Sequence, residues 1–170
     1  GVDSSVAAAL LQRAGYDVVG VFIKVWHPPF LQCNWEAERL DAMRVAAHLR
    51  IPFLNCDAEE AYREEVAQYF IGAYARGLTP NPDVACNRAV KFGKFLSFAE
   101  AHGADYIATG HYARAVHESD GTHLLRGIDS SKDQSYFLWE VPQSALARSL
   151  FPLGEWRKHD TRRYARRLRL

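Results

Sequence analysis

The sequence lacks the features that mark several broad classes of protein. Its three cysteines are odd in number and form no CxxC pair, which argues against both a disulfide framework and a zinc site. No apolar run approaches the roughly 18 residues that a membrane span needs, and no charged and then apolar leader begins the chain. We therefore expect a soluble, cytoplasmic protein with no membrane partner, in which any cysteine that matters is reactive or simply buried.

The composition and charge bound the size of the core and the kind of partner. At 170 residues and 48% hydrophobic, the chain is long enough to bury one sizeable core and is most simply one domain. The net charge of +1 hides an asymmetry, because the segment 155–170 holds seven basic side chains against two acidic ones. This basic end could bind phosphate, or it could be the solvated face of an ordinary helix.

Three nearly continuous apolar runs, at 16–25, 51–56 and 106–109, predict strands that are covered on both faces. Helical spacing between these runs predicts βαβ crossovers, and hence an α/β fold with a doubly wound parallel sheet. Ligands of such sheets lie beyond the carboxyl ends of the strands. A turn signal at 119–121 between two further apolar stretches predicts a small hairpin insertion.

Two predictions concern helices: which face of one helix is buried, and where another helix ends. In the helix expected at 34–50, the side chains of Leu40, Met43 and Ala47 are predicted to mark the inner face. The segment 143–150 is predicted as one short helix, and the basic end of the chain as another.

The chain begins with a glycine and two hydroxyl residues that precede an Ala/Leu-rich run. This pattern predicts a loop that turns into a helix, which Gly15 ends. Backbone N–H groups at such a helix start bind anions with the help of the helix dipole, so a phosphate site is one interpretation. It is not a Walker loop, because no Gly-Lys-Ser/Thr follows. The candidate residues are Gly1, Val2, Asp3, Ser4 and Ser5.

The stretch 79–87 places a carboxamide, a carboxylate and a thiol within one short segment. Its two prolines, Pro80 and Pro82, are expected to exclude helix and interior strand, which leaves a stiff turn. The turn is either a rigid catalytic loop or a connector between two helices whose cysteine, Cys86, is inert.

Two further segments are candidates for ligand contacts. Gly110 and His111 follow the third predicted strand directly, where a ligand would lie, although a lone histidine there is more often structural. Lys132 and Gln134 lie in a polar loop, where they could serve a phosphate and a base edge or could simply be exposed.

Several motifs follow one another in an order that matches a known family. The chain starts with Gly-Val-Asp-Ser, carries Thr-Pro-Asn-Pro-Asp and then Cys-Asn at 79–87, and has Ala-Thr-Gly-His-Tyr at 108–112. The later matches are Leu-Leu-Arg-Gly at 124–127, Lys-Asp-Gln-Ser-Tyr-Phe-Leu at 132–138 and Phe-Pro-Leu-Gly at 151–154. In type and order these motifs resemble those of the tRNA-specific 2-thiouridylases of bacteria and mitochondria, and the resemblance spans the whole chain.

The resemblance implies a Rossmann-like ATP-pyrophosphatase (PP-loop) fold of the adenine nucleotide alpha hydrolase type. It implies an enzyme, a tRNA-uridine 2-sulfurtransferase, that replaces the 2-oxygen of the wobble uridine in tRNA with sulfur. In this family ATP adenylates that oxygen with the help of Mg²⁺, and sulfur arrives as a persulfide from a sulfur-donor protein. Cys86 then resembles the thiol that attacks the persulfide on a second cysteine.

The resemblance also implies a role for individual residues. The catalytic residues would be Cys86 and Asp83. The ATP-binding residues would be Gly1, Val2, Asp3, Ser4, Ser5, Ile23 and Gly110. The target base would be contacted by Asn81, Pro82 and Asp83, and the rest of the tRNA by His111, Lys132, Asp133 and Gln134. No residue is assigned as a protein ligand of Mg²⁺.

The chain departs from the family pattern in what it lacks. The first strand and the initial Ser-Gly-Gly are missing, as are the second, persulfide-bearing cysteine and the later domains; Cys33 and Cys56 fall outside the motif. We expect 1–154 to be an ATP-pyrophosphatase domain without its first strand and 155–170 to be a basic helix leading into a missing tRNA-binding domain, in a fragment that is inactive alone. Two other functions stay open: another ATP-pyrophosphatase, such as an amide-forming synthetase or a different tRNA thiolase, and a noncatalytic RNA-binding module.

Overall fold

The computed structural model describes residues 1–28, 30 and 34–170, so Cys33 lies outside the described residues. The helices are α1 (Val2–Arg13), α2 (Trp35–Leu49), α3 (Glu59–Tyr62), α4 (Tyr69–Ala75), α5 (Pro82–Cys86), α6 (Phe95–Ala101), α7 (Gln143–Leu146) and α8 (Lys158–Leu168). Two π-helical stretches, Arg63–Gln68 and Asn87–Lys94, join α3 to α4 and α5 to α6. The strands are β1 (Gly20–Lys24), β2 (Phe53–Asp57), β3 (Ile107–Ala108), β4 (Ala113–Glu118), β5 (Gly121–Arg126) and β6 (Ser149–Leu150).

The strands form parallel pairs and one hairpin. β1 pairs with β2 in parallel, and β3 pairs with β6 in parallel. β4 and β5 form an antiparallel hairpin around the turn that the sequence indicates. Helix α2 joins β1 to β2, whereas the connection from β3 to β6 contains the β4–β5 hairpin and α7. The α/β class and the hairpin insertion are therefore confirmed.

The prediction of one helix over 143–150 is wrong. Helix α7 ends at Leu146, and the chain turns to form β6 two residues later. Arg148 explains the turn, because its guanidinium donates to the carbonyl oxygens of Ala104 and Asp105, just before β3. These contacts bring the backbone of Arg148 within reach of Ile107, whose N–H donates to the Arg148 carbonyl at 2.9 Å. A two-residue strand fixed by such distant partners leaves no periodic signal in the sequence.

The predicted inner face of α2 is also wrong. The side chains of Leu40, Met43 and Ala47 are exposed, and the buried residue of this helix is Ala46. Helix α2 packs against Gly20 at the start of β1 through Ala46, whose methyl group would be in ordinary contact with a β-carbon on Gly20, at 3.6 Å. A small residue therefore lies on the side that faces β1, and the larger apolar side chains are exposed.

The buried apolar side chains fall into three clusters. The first holds Cys56, Phe92, Phe95, Ala99, Ile107, Ala113, Leu138 and Ala145. The second joins α1 to α8 and holds Val6, Ala7, Tyr112, Leu153 and Ala165. The third lies around α5 and holds Ala58, Val66, Ala85, Ala89 and Val90. Ile23 of β1 packs against both the first and the third cluster. Among the described residues, no helix is long and apolar enough to cross a membrane.

Candidate nucleotide and thiol site

The start of the chain is helical earlier than the sequence predicts, because α1 begins at Val2 and Ser4 and Ser5 lie in its first turn, not in a loop before it. Gly1 is the N-cap of α1, and the hydroxyl groups of Ser4 and Ser5 each donate to the Gly1 carbonyl oxygen at 3.0 Å. The helix ends before Gly15, which has the left-handed φ of +91° that favours glycine. The first N–H groups of a helix have no partner within it, so this turn presents donors for an anion, as the sequence predicts.

Gly110 lies directly against this turn. A β-carbon at Gly110 would approach the Ser4 amide nitrogen to 2.8 Å and the carbonyl carbon of Asp3 to 2.9 Å. Such distances are too short for any side chain, so only glycine allows the end of β3 to meet α1 here. The structure thus brings together Ser4 and Gly110, which are 106 positions apart in sequence. Both segments are predicted to belong to one nucleotide site, and their role in binding ATP stays a prediction.

The carboxylate of Asp3 is the centre of a polar network at this turn. Lys158 of α8 donates to both Asp3 oxygens at 2.6 Å. The Tyr112 hydroxyl donates to Asp3 Oδ1 at 3.1 Å and lies 2.9 Å from the Thr161 hydroxyl. Burial, together with the negative charge of Asp3, raises the pKa of Tyr112 to about 12, so its hydroxyl stays protonated and able to donate. The network fixes α8 against the first turn of α1.

The stretch 79–87 is not the stiff turn that its prolines predict. Asn81 is the N-cap of α5, and its side-chain oxygen accepts from the N–H groups of Asp83 at 3.0 Å and Val84 at 3.4 Å. Pro82 takes the first helical position, where the N–H that it lacks would have no partner and its fixed φ suits the helix. Proline therefore starts this helix instead of preventing it, and Cys86 lies on a helix.

The groups around Cys86 have opposite effects on the pKa of its thiol. Its half-buried side chain packs with Tyr62 and Ile23 against the third apolar cluster. Burial raises the pKa of Cys86, the carboxylate of Asp83 raises it further, and the ammonium group of Lys91 lowers it. Asp83 and Cys86 are three residues apart on α5 and so share a face of the helix.

His111 is buried in the structure. Its ring is 9% exposed, its Nδ1 lies 2.8 Å from the Thr109 hydroxyl, and it packs near the rings of Phe92 and Phe151. Burial, with a smaller effect of Lys91, lowers the pKa of His111 to about 4, so the imidazole is neutral at pH 7. These contacts account for the residue as part of the core, and a contact with tRNA stays a prediction.

The polar loop with the remaining predicted contacts is held by its own side chains. The Asp133 carboxylate accepts from the Gly127 N–H at 3.0 Å and from the Ser135 hydroxyl at 3.0 Å. Burial alone would raise the pKa of Asp133, but these hydrogen bonds outweigh it and hold the pKa below its usual value. Gln134 pairs with Tyr112, donating through its N–H at 2.9 Å and accepting through its side chain at 3.0 Å. Lys132 is exposed, so it is the member of this set that is free to face a ligand.

Asn87 connects this loop to the helix of Cys86. Its side-chain nitrogen donates to the Phe137 carbonyl oxygen at 3.0 Å, across 50 positions of sequence. The residue is 2% exposed, and its side-chain oxygen is buried without a hydrogen-bond partner in the described part of the chain. The hydrogen bond fixes the 3-10 turn at Ser135–Phe137 against the residue that follows Cys86.

Sequence reasoning did not single out Lys158, Tyr112 or Asn87 as members of a site. The contact between Lys158 and Asp3 spans 155 positions, and no local pattern reports it. The available signal was indirect: Tyr112 and Asn87 each follow directly after a predicted site residue.

Metal-ligating side chains cluster elsewhere. Among the described residues, one group of three, Glu118, Asp120 and His123, lies close enough to hold an ion. The group is exposed at the tip of the β4–β5 hairpin, where His123 already pairs with Asp120 at 2.8 Å. It gives no support to a metal site at the turn of α1.

Comparison with known proteins identifies the family. The whole chain, residues 1–170, matches a family model described as the tRNA methyl transferase HUP domain. The chain is 50% identical over 168 residues to the tRNA-specific 2-thiouridylase MnmA of Lactiplantibacillus plantarum, covering 97% of this chain and 45% of that protein. It is 48% identical over 173 residues to the protein of that name from Christiangramia forsetii, covering 97% and 44%. A third relative of the same name, from Streptococcus pyogenes serotype M3, is 47% identical over 170 residues.

The chain spans less than half the length of these curated relatives. The resemblance drawn from its motifs is nevertheless confirmed along almost all of its own length, as is the Rossmann-like α/β class. The family model matches residues 1–170, which include both Gly110 and the first turn of α1 that it contacts. The chain therefore belongs to the tRNA methyl transferase HUP domain family.

Proposed function

We propose that this chain is the nucleotide-binding and thiol-bearing part of a tRNA-uridine 2-sulfurtransferase that makes 2-thiouridine at the wobble position. The observation that carries the proposal is the position of Ile23, which packs against both the cluster around Cys86 and the cluster that contains Ile107 of β3. The candidate thiol of Cys86 and the strand that leads into Gly110 therefore pack against clusters that share a contact with Ile23. The relatives that are named tRNA-specific 2-thiouridylases support the same reaction.

The first half of the proposed reaction activates the uridine. The 2-oxygen of uracil is a poor leaving group, so it attacks the α-phosphorus of ATP, pyrophosphate leaves, and the oxygen becomes part of an AMP leaving group. The N–H groups of the first turn of α1 that precede Ser5 suit the negatively charged phosphates, and Gly110 lets the end of β3 lie directly against that turn. Mg²⁺ would offset phosphate charge, with Asp3 as the carboxylate at this turn, although Asp3 is paired with Lys158.

The second half of the proposed reaction delivers sulfur. The thiolate of Cys86 attacks a persulfide on a second cysteine, a disulfide forms between the two cysteines, and hydrosulfide leaves. Hydrosulfide then attacks C2 of the adenylated uracil, and AMP leaves with the original oxygen. Asp83, three residues before Cys86, is the candidate group to accept the thiol proton. Lys91 favours the thiolate, since its positive charge lowers the pKa of Cys86.

The proposed polymer substrate is tRNA. Lys132 is exposed beside the loop that Asp133 and Gln134 fix. The outer face of α8 adds exposed arginine side chains, which are Arg162, Arg163, Arg166 and Arg167. Asp160 pairs with Arg163 at 2.6 Å, so one of these charges already has an acidic partner. A face of this kind fits a phosphate backbone, whose binding depends strongly on salt. A cytoplasmic location and a persulfide-carrying donor protein complete the proposal.

The test uses the complete gene product with unmodified tRNA, ATP, Mg²⁺ and a persulfide-loaded sulfur donor. Nucleoside mass spectrometry measures 2-thiouridine, and a separate assay measures pyrophosphate release. We expect Cys86→Ala to abolish 2-thiouridine while tRNA-dependent pyrophosphate release continues. Cys56→Ala, at a buried cysteine outside the motif, is the matched control and is expected to retain the product.

Each alternative has its own outcome. A Cys86→Ala protein that makes 2-thiouridine at the wild-type rate contradicts the role of Cys86. Pyrophosphate release that needs no tRNA indicates another ATP-pyrophosphatase, and tRNA binding without pyrophosphate release indicates a noncatalytic RNA-binding module.

A further inference from the structure

We propose that Lys158 is a phosphate-binding residue of the nucleotide site, paired with Asp3 when the site is empty and with the β- and γ-phosphates of ATP when it is filled. The inference rests on the proposed function and adds a residue that the sequence motifs do not assign. Its starting observation is the position of the Lys158 ammonium, 2.6 Å from both oxygens of Asp3 in the first turn of α1.

The turn itself supplies no positive side chain. The first basic residue of the chain is Arg13, at the far end of α1. A Walker loop carries its own lysine toward the phosphates, but the Gly1–Ser5 turn has none. Backbone N–H groups and a helix dipole carry partial charges, whereas the terminal phosphates of ATP carry several full ones. Lys158 brings a full positive charge to this turn from the other end of the chain.

The position of Lys158 is fixed at its backbone as well as at its side chain. Its N–H donates to Asp129 Oδ2 at 2.9 Å, which anchors the first residue of α8. Tyr112 lies between the two helices and donates to Asp3, with the Lys158 ammonium 5.5 Å from the centre of its ring. A partly exposed ion pair contributes little to the free energy of unfolding on its own. Stability alone therefore does not explain why Asp129 and Tyr112 hold Lys158 and Asp3 in this position.

Lys158 can also reach a ligand. Its side chain is 22% exposed and that of Asp3 is 34% exposed, so the pair faces solvent at the open turn. A lysine side chain is a flexible four-carbon stem with three donors, which lets the ammonium move from one acceptor to another nearby. The ammonium therefore exchanges one carboxylate for a more highly charged polyphosphate without any movement of α8.

The test measures equilibrium binding to the complete gene product by calorimetry, with ATP and adenosine as separate probes. We expect Lys158→Met to weaken ATP binding by roughly tenfold to a hundredfold, the range for a lost hydrogen bond to a charged group. Adenosine, which has no phosphates, should bind within about twofold of wild type. Lys158→Arg keeps the charge and should retain part of the ATP affinity.

Lys94→Met is the matched control, because it removes the same kind of side chain from an exposed position in the stretch Asn87–Lys94, outside α1 and α8. It should leave ATP affinity unchanged, and thermal unfolding of each variant checks that the protein is folded. Equal ATP affinity in wild type and Lys158→Met overturns this inference alone. An equal loss of ATP and adenosine affinity also overturns it, because Lys158 would then only support the fold. A wild-type protein that binds no ATP overturns the proposed function as well.

Discussion

Gly110 and Ser4 lie so close together that a β-carbon on Gly110 would be 2.8 Å from the Ser4 amide nitrogen. The two nearest atoms that a side chain would strike are backbone atoms of the first turn of α1, which cannot move aside as the end of a flexible side chain can. We expect Gly110→Ala to push this turn away from the end of β3. It should destabilise the protein by about 1–3 kcal/mol and weaken ATP binding. Denaturant unfolding and calorimetry measure the two effects.

Gly72 provides a matched control for that substitution. It lies inside α4, and a β-carbon there would meet only the end of the Arg76 side chain, at 3.5 Å. Gly72→Ala should therefore stabilise the protein by about 0.5–1 kcal/mol, because alanine loses less backbone entropy than glycine in a helix. If Gly110→Ala is as stable as wild type, the close approach of the two segments is not a feature of the folded protein.

The alkylation rate of Cys86 should depend on pH in a way that its two charged neighbours set. Burial and Asp83 raise the pKa of the thiol and Lys91 lowers it, and the thiolate is the reactive form. We expect Asp83→Asn to shift the profile of rate against pH to lower pH, and Lys91→Met to shift it to higher pH. Peptide-resolved mass spectrometry after iodoacetamide treatment measures the rate. Cys56, which is 0% exposed, serves as the slow internal reference; shifts in the same direction for both variants would contradict the assignment.

His111 should make the stability of the protein depend on pH between about 4 and 6.5. Burial lowers its pKa from 6.5 to about 4 in the folded state, so the unfolded chain binds a proton more readily in this range. The contribution of His111 to the free energy of unfolding is therefore fully present above pH 6.5. It is lost as the pH drops toward 4, which lowers the free energy of unfolding by at most about 3 kcal/mol. Urea unfolding of wild type and His111→Phe across this range isolates the effect, since the acidic groups contribute to both curves. Parallel curves would show that His111 is not buried in its neutral form.

Asn81 should stabilise the helix that carries Cys86. Its side-chain oxygen accepts from two N–H groups of α5, so Asn81→Ala leaves both without that partner. We expect a loss of about 1 kcal/mol of stability, with Asn81→Ser retaining most of it because serine also caps helices well. Chemical denaturation measures both variants. An Asn81→Ala protein that is as stable as wild type would mean that the cap contributes nothing.

Local sequence signals predicted those parts of the fold that local forces decide. Gly1 and Gly15 mark the two ends of α1, and the turn at 119–121 marks the hairpin, because backbone geometry at those residues sets the structure. The helical face of α2 could not be read in the same way. Its apolar pattern favours Leu40 and Met43, but the helix packs against Gly20 through Ala46, and that contact depends on a strand outside the helix.

The candidate site shows the same division. The turn at Gly1 and the position of Gly110 after a strand were both predicted, but their contact is a property of the folded chain. The prolines of 79–87 predict a break in helix when their position relative to a cap is unknown. In the structure Pro82 is the first residue of a helix that Asn81 caps. Lys158 had no local signal, since its partner lies at the opposite end of the sequence.

The helical setting of Cys86 limits how its sulfur atom can move. On a flexible loop a thiol can travel several ångströms with its backbone, but Cys86 belongs to a helix that Asn81 caps and that continues through Asn87 toward α6. Its sulfur can change position mainly by rotation about one side-chain bond, among three staggered orientations. Any atom that reacts with this sulfur must therefore move to it. In a sulfur exchange, the other reactant makes the larger movement.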